Sequence, residues 1–254
     1  MRIARYQHEG AVRYGVVEGL EVHELPGHPF LAPGEAVRTT GEVHDLDQVR
    51  LLAPVLPSKV IGIGKNYADH AREMGGEPPA DPLMFLKPTT TVIGPDEAIV
   101  LPPESAEVHY EAELAVVMGR MCRRVTADQA LSMVLGYTCA NDVSARDFQR
   151  SDGQWTRAKG FDTFCPLGPW IETDLDPSDL SIITRRDSEV VQDGTTADMV
   201  NGVAALVSYA SRAFTLLPGD VILTGTPAGV GPISAGDEVA VTVGGLGTLV
   251  NPVR

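Results

Sequence analysis

His109-Tyr-Glu-Ala-Glu-Leu-Ala-Val-Val-Met118 is the stretch on which the fold of this chain turns. Its first half alternates with a period of two, so it reads as a β-strand, and Glu111 and Glu113 leave that strand from one face. The same face continues through Ala115 and Val117 and therefore points inward, where two uncompensated carboxylates are costly. A hard divalent cation held by oxygen ligands would compensate them; the bland alternative is a solvated strand edge that happens to carry two acids. A second acidic patch follows in Asn141-Asp-Val-Ser-Ala-Arg-Asp147, and Asp142 within it completes a candidate metal triad with Glu111 and Glu113.

The next constellation lies upstream, in Lys65-Asn-Tyr-Ala-Asp-His70-Ala-Arg-Glu73. Residues 67–74 read as a short helix ended by Gly75-Gly76. His70 and Glu73 are three apart and share one helix face. A carboxylate that orients an imidazole makes a general base able to take a proton from water, and the alternative is an ordinary surface pair. Gly64 before this segment and the glycine pair after it suggest a hinged, exposed piece of chain that suits a lid better than a core. Lys159, in Trp155-Thr-Arg-Ala-Lys-Gly-Phe-Asp-Thr-Phe164, either snorkels at the surface or aims at negative charge developing on a substrate oxygen. Arg146 and Gln149 follow Asp142 by four and seven residues on a predicted short helix, so they can face the cavity of that ligand. Arg146 suits a substrate carboxylate bidentately, or else a salt bridge with Asp147 or Asp152. Leu223-Thr-Gly-Thr-Pro-Ala-Gly-Val-Gly231 reads by default as a plain turn after a strand, with an anion cradle as the other possibility. No Gly-x-Gly-x-x-Gly opens a helix and no Gly-x-Ser-x-Gly elbow is present, which disfavours a dinucleotide cofactor and serine acyl transfer.

Around these motifs the chain of 254 residues has room for one large domain, or one domain plus a small appendage. Residues 1–54 read as a small N-terminal β domain, with strands at 3–6 and 12–17 and a polar Gly/Pro-rich stretch around 27–34. Pro54 and Pro57 punctuate the entry into 55–254. There, strands are expected at 59–64, 83–86, 92–93, 99–101, 221–223, 238–243 and 248–250, with a hairpin whose strands 182–184 and 189–192 flank 185–188. Thr126 can cap a helix running to 134, and a 3.6-residue period predicts the longest helix over 199–214. Many short strands with few helices point to a β-rich α+β fold. The formal charge of −14 argues against nucleic acid or an anionic membrane as partner. No apolar run approaches the ~20 residues of a membrane span, and the N-terminus lacks a secretion signal, so a cytoplasmic protein is expected. Cys122, Cys139 and Cys165 read as reduced, packed residues.

Seven segments in order carry a family resemblance: Lys-Asn-Tyr…His…Glu-Met-Gly at 65–75, Lys87-Pro, the His-Tyr-Glu-Ala-Glu strand, and Asn-Asp-Val-Ser-Ala-Arg-Asp at 141–147. The others are Lys-Gly-Phe-Asp-Thr-Phe-Cys-Pro at 159–166, Gln192-Asp-Gly, and Thr-Gly-Thr-Pro-Ala-Gly-Val-Gly at 224–231. From about residue 59 to 253 the chain resembles the fumarylacetoacetate hydrolase family in its short bacterial form. The resemblance implies a mixed β-sandwich roll, a homodimer, and one Mg²⁺ or Mn²⁺ per subunit on Glu111, Glu113 and Asp142. It implies a His70–Glu73 dyad on a lid that orders over substrate, with Gln149 and Lys159 stabilising the reacting oxygens. Arg146, Thr226, Tyr67 and Asn66 take the substrate-binding positions. The implied reaction is C–C bond cleavage, by hydrolysis or decarboxylation, of a small anionic 2-oxo or 2,4-dioxo carboxylic acid through an enolate held on the ion. The same residues serve a tautomerase or isomerase of oxaloacetate or a 2-hydroxy-dienoate. A non-enzymatic, metal-stabilised binding protein would be marked by loss of His70, Glu73 or Lys159, and all three are present. Two positions depart from the family pattern: Asn201-Gly202, expected on the long helix, and Arg186-Asp-Ser188 at the hairpin.

Overall fold

A computed structural model describes residues 1–30 and 37–254. The N-terminal region forms β1 (Arg2–His8), β2 (Ala11–Glu18), β3 (Glu21–Glu24), β4 (Val43–Asp45) and β5 (Arg50–Leu52). Next come β6 (Val60–Gly64), helix α1 (Ala68–Glu73), β7 (Leu83–Lys87), β8 (Val92–Ile93), β9 (Val108–Tyr110) and β10 (Ala112–Met118). A short helix α2 (Ala127–Ala130) leads to β11 (Val134–Asn141), β12 (Ser144–Ala145), α3 (Arg146–Ser151), α4 (Thr156–Gly160) and β13 (Cys165–Glu172). The chain ends with β14 (Ser181–Arg186), β15 (Glu189–Thr195), α5 (Val203–Ala213), β16 (Val221–Leu223), β17 (Gly231–Pro232), β18 (Glu238–Val243) and β19 (Gly247–Pro252).

The largest sheet runs β4-β3-β2-β1-β13-β11-β10-β16-β6-β7, with β5 paired to β1 and β8 to β13. Strand β10 lies inside it and is buried on both sides. Its even-numbered Leu114, Val116 and Met118 share a core with Ile182, Val239, Val241 and Val243 of the second sheet, β15-β14-β18-β19. Its odd-numbered Ala115 and Val117 share another with Leu167, Val221, Leu223 and Ile3. Burial on both faces is why the alternation seen around Glu111 gives way to the unbroken apolar run Leu114 to Met118. The mixed sheets and sandwich packing are the β-rich α+β architecture expected. The N-terminal strands do not close a sheet of their own: β1 pairs with β13 through Arg2↔Glu172 and Ile3↔Ile171. A third, three-stranded sheet, β12-β9-β17, frames the start of the His109–Met118 segment.

Several local expectations need correction. Residues 99–101 form no strand: Ile99 makes an isolated bridge to Val253, and Pro102 and Pro103 follow without donors for a ladder. The longest helix begins at Val203, with Gly202 as its extended N-cap, so Asn201-Gly202 precede it instead of lying on it. Met199, assigned by periodicity to that helix, bridges Tyr67. Thr126 forms a capping box with Gln129, but α2 is a single turn that passes into a 3₁₀ turn at Leu131–Met133 before β11. The hairpin strands are longer than expected and turn on Asp187, whose φ of 55° lies in the left-handed region. Residues 31–34 of the Gly/Pro-rich stretch lie outside the described residues. All three cysteines are free and buried, and burial pushes the Cys139 and Cys165 thiols up to about 12. Among the described residues, no helix is long and apolar enough to cross a membrane.

Candidate active site and metal centre

The register of β10 against β11 sets Ala112 opposite Asn141. Glu111 and Asp142 therefore face each other just beyond the ladder, with Glu113 two residues along the same face. The corner is closed by backbone: the Asp142 N–H donates to the Glu111 carbonyl at 2.8 Å, and the Glu111 N–H to Asn141 Oδ1 at 2.9 Å. All three carboxylates are buried, and each offers an oxygen within 4.8 Å of the others.

Positive charge is supplied unevenly to this acidic floor. Lys159, on α4, donates from Nζ to Glu111 Oε2 and Asp142 Oδ2, both at 2.6 Å. Lys87, the last residue of β7, donates to Asp142 Oδ1. Arg146, the first residue of α3, sets Nη2 2.6 Å from Glu111 Oε1. Glu113 accepts a single hydrogen bond among the described residues, from the Gly225 N–H at 2.5 Å. Burial raises the pKa of Glu111, but Lys159 and then Arg146 outweigh it and hold this carboxyl well below the usual range. Glu113 stands well above that range, first through burial and then through the charges of Asp142 and Glu111. For Lys159, burial disfavours the ammonium, yet Asp142 and Glu111 prevail and raise its pKa. A buried carboxylate without a cation of its own, converging with two others in an all-oxygen set, fits a hard divalent ion such as Mg²⁺ or Mn²⁺.

Helix α1 carries His70 on its buried side, with Nδ1 3.1 Å from Glu73 Oε2 and Nε2 4.0 Å from Glu111 Oε1. A carboxylate can only accept, so Nδ1 carries the hydrogen toward Glu73, and Nε2 is turned to the floor. The glycine loop ties this helix to the triad. Thr224 donates from its N–H and hydroxyl to the Leu114 carbonyl, at 3.1 and 2.9 Å, laying the loop along β10. Gly225 N–H then reaches Glu113, and Gly229 N–H donates to both Glu73 oxygens at 3.0 and 3.3 Å. Gly229 has a φ of 100°, and a Cβ there would lie 2.4 Å from the Val191 carbonyl oxygen, so only glycine suits the position. The loop is thus an anion cradle after all, and the anions it holds are the protein's own carboxylates. Buried Gln192 fixes its middle, accepting from the Ala112 N–H (3.1 Å) and Thr184 hydroxyl (2.7 Å), and donating to Thr226 Oγ1 (2.8 Å) and the Pro227 carbonyl (2.9 Å).

A cavity of about 150 Å³ opens above the floor. The triad, His70, Gln149, Lys159 and Thr226 line it, together with Lys65, Met74, Arg150 and Trp155. Glu73, Arg146, Tyr67 and Asn66 do not. Arg146 is turned to Glu111 and to Gln149 Oε1, which accepts from Nη1 at 2.8 Å, and it forms no pair with Asp147 or Asp152. Asp147 instead accepts from Ser105 and the Ala106 N–H, and Asp152 pairs with Arg157. Asn66 serves backbone: Nδ2 donates to the Asn201 and Thr224 carbonyls at 3.0 and 2.8 Å, and Oδ1 accepts from the Asn201 N–H at 2.9 Å. This pairing explains why the chain at Asn201 stays out of α5. The Tyr67 hydroxyl is buried without a partner among the described residues, and burial, then Glu113 and Asp198, raise its pKa. Lys159 is buried, so it does not snorkel. The helix carrying His70 is exposed on its outer side, at Asp69, Arg72 and Glu73, while Asn66, Tyr67, His70 and Ala71 are buried. Sequence reasoning gave Lys65, Lys87 and Gln192 no role beyond family motifs and gave Trp155 none. A residue-64 Cβ would lie 2.4 Å from the Trp155 ring, so Gly64 is what lets that ring lie against β6.

Comparison with known proteins agrees with this geometry. The family model "Fumarylacetoacetate (FAA) hydrolase C-terminal" matches residues 59–254, and "Rv2993c-like, N-terminal" matches residues 1–54. The crystal structure of 2-hydroxyhepta-2,4-diene-1,7-dioate isomerase from Mycobacterium marinum is 50% identical, with a TM-score of 0.92 over 100% of this chain and 98% of that one. The mitochondrial oxaloacetate tautomerase Fahd2a of Rattus norvegicus is 44% identical over 218 residues, 81% of this chain and 70% of the relative. Maleylpyruvate hydrolase from Sphingobium sp. SYK-6, solved with manganese(II) and pyruvate, is 31% identical, with a TM-score of 0.82 over 100% of this chain and 98% of that one. With a family model matching residues 59–254 and a fold shared with the two solved structures, the chain belongs to the fumarylacetoacetate hydrolase family.

Proposed function

We propose that this protein is a divalent-metal-dependent enzyme that moves a proton between the keto and enol forms of a small 2-oxo dicarboxylic acid. The observation that carries the proposal is His70, whose Nε2 faces the acidic floor 4.0 Å from Glu111 while Glu73 holds Nδ1. Glu111, Glu113 and Asp142 would hold Mg²⁺ or Mn²⁺, which supplies the Lewis acidity that makes the carbon beside a keto group acidic. Glu73 keeps the hydrogen on Nδ1, so Nε2 is the atom that takes the proton from that carbon and returns it to oxygen. Lys159 has two N–H groups committed to Glu111 and Asp142, leaving the third for negative charge on a substrate oxygen in the cavity it lines. Thr226 accepts from Gln192, so its own hydroxyl hydrogen is left to donate to a substrate carboxylate.

The relatives named isomerase and tautomerase, at 50% and 44% identity, support proton transfer as the reaction. C–C bond cleavage, by hydrolysis or decarboxylation, is the second reading, favoured by the likeness to maleylpyruvate hydrolase at 31% identity. In the hydrolytic form the same Nε2 would deprotonate a water. The test is to follow enol-oxaloacetate by ultraviolet absorbance with Mg²⁺ or Mn²⁺ and to identify products by NMR. The expected result is metal-dependent ketonisation faster than in buffer, without matching pyruvate, abolished by EDTA and restored by excess metal. Pyruvate forming as fast as the keto acid would favour cleavage, and no acceleration would remove both readings.

A further inference from the structure

Lys65 stands apart from every other cation of the site. Lys159, Lys87 and Arg146 are paired with the carboxylates of the floor, and Arg150 pairs with Glu107. Lys65 lines the same cavity, half buried, yet makes no hydrogen bond or ion pair among the described residues. Its neighbours on the cavity wall include the apolar Ile63, Met74 and Trp155. Its ammonium lies just beyond the end of α1, where a Cβ on Gly76 would come within 3.3 Å of Nζ. The backbone at Lys65 has a φ of 55°, in the left-handed region that side-chain-bearing residues rarely adopt. A lysine kept in a conformation that glycine or asparagine would take more easily points to use of its side chain. A cavity-lining ammonium without a protein partner among the described residues is free to receive an anion from the cavity.

We propose that Lys65 binds the second carboxylate of the substrate, at the end away from the acidic triad, and so selects dicarboxylic over monocarboxylic oxo acids. The proposal rests on the keto–enol reading above and assigns one further residue within it. The floor receives the 2-oxo-carboxylate end, and Lys65 is the cation of the cavity wall left without a protein partner among the described residues.

The test uses the metal-loaded protein and two acids. Oxaloacetate carries the second carboxylate, and pyruvate, measured as a competitive inhibitor, lacks it. Lys65→Met removes the charge and keeps the apolar stem; Lys65→Arg restores a cation. In Lys65→Met the KM for oxaloacetate should rise roughly 10- to 100-fold, the scale of a lost charged hydrogen bond. Its kcat should change little, because the contact is uniform binding, and pyruvate inhibition should match wild type. Lys65→Arg should recover most of the KM. Equal weakening of both acids in Lys65→Met, or of neither, would overturn the proposal while leaving the parent reading in place. Wild-type protein that binds neither acid would overturn both together.

Discussion

Glu111 and Glu113 leave one strand two residues apart on the same face, and their surroundings differ in kind. On the Glu111 side, Lys159, Arg146 and, through Asp142, Lys87 form a closed lattice of opposite charge. On the Glu113 side there is, among the described residues, one backbone N–H, from Gly225. The lattice holds Glu111 ionised, whereas burial and two neighbouring carboxylates push Glu113 toward its neutral form. The three cations of the floor therefore all pair with Glu111 and Asp142, and none of them pairs with Glu113. Glu113, which the glycine loop presents to the cavity, is the carboxylate with which an added cation would pair.

The comparison can be sharpened first at His70, where the largest effect is expected. Its Nε2 faces the Glu111 side but belongs to no ion pair of the floor closer than 4.0 Å. His70→Ala should lower the rate of ketonisation by roughly 10²–10⁴-fold, the usual scale for a general base. Mn²⁺ affinity should stay near wild type, because all three carboxylates remain. A variant that loses metal and rate together would place His70 within the floor instead of above it.

A smaller effect, with opposite signs, is expected in the thermal stability of the metal-free protein. The folded-state pKa of Glu111 is lowered, so its charge contributes stability that is present above its unfolded value and lost as pH falls through the folded one. The folded-state pKa of Glu113 is raised, so its contribution is complete below the unfolded value and lost as pH rises toward the folded one. Near neutral pH, Glu111→Gln should therefore lower Tm and Glu113→Gln should raise it, by about 2–4 °C for each kcal/mol in a chain of this size. Scanning fluorimetry of both variants from pH 5 to 8 without metal checks this. Shifts of the same sign would break the contrast between the two residues.

What was legible in the sequence follows the range of the interaction. The triad and the dyad rest on short spacings, Glu111 to Glu113 along a strand and His70 to Glu73 along a helix, and periodicity sees such spacings. Asp142 enters the triad from its own acidic patch at 141–147 and from the family resemblance; the strand Val134–Asn141 that sets it opposite Glu111 is not among those expected. The turn of Arg146 toward Glu111 depends on how α3 leaves β12, and the arrival of Lys87 at Asp142 depends on β7 lying at the sheet edge beside β6. No local pattern records either. Helical periodicity over 199–214 likewise cannot register that Asn66, far upstream, takes up the backbone of Asn201 and keeps the first residues extended. The glycine loop was read as a turn because its anions lie on other elements, Glu113 on β10 and Glu73 on α1.

The most direct measurement is a Mn²⁺ titration of metal-free protein, by calorimetry or electron paramagnetic resonance, comparing wild type with Glu113→Gln. Wild type should bind one ion per chain. Glu113→Gln should bind at least roughly 100-fold more weakly, beyond the roughly 10–100-fold that loss of an outer partner of a metal site costs. Undiminished Mn²⁺ affinity in Glu113→Gln would contradict the assignment of the uncompensated carboxylate as the anchor of the metal centre.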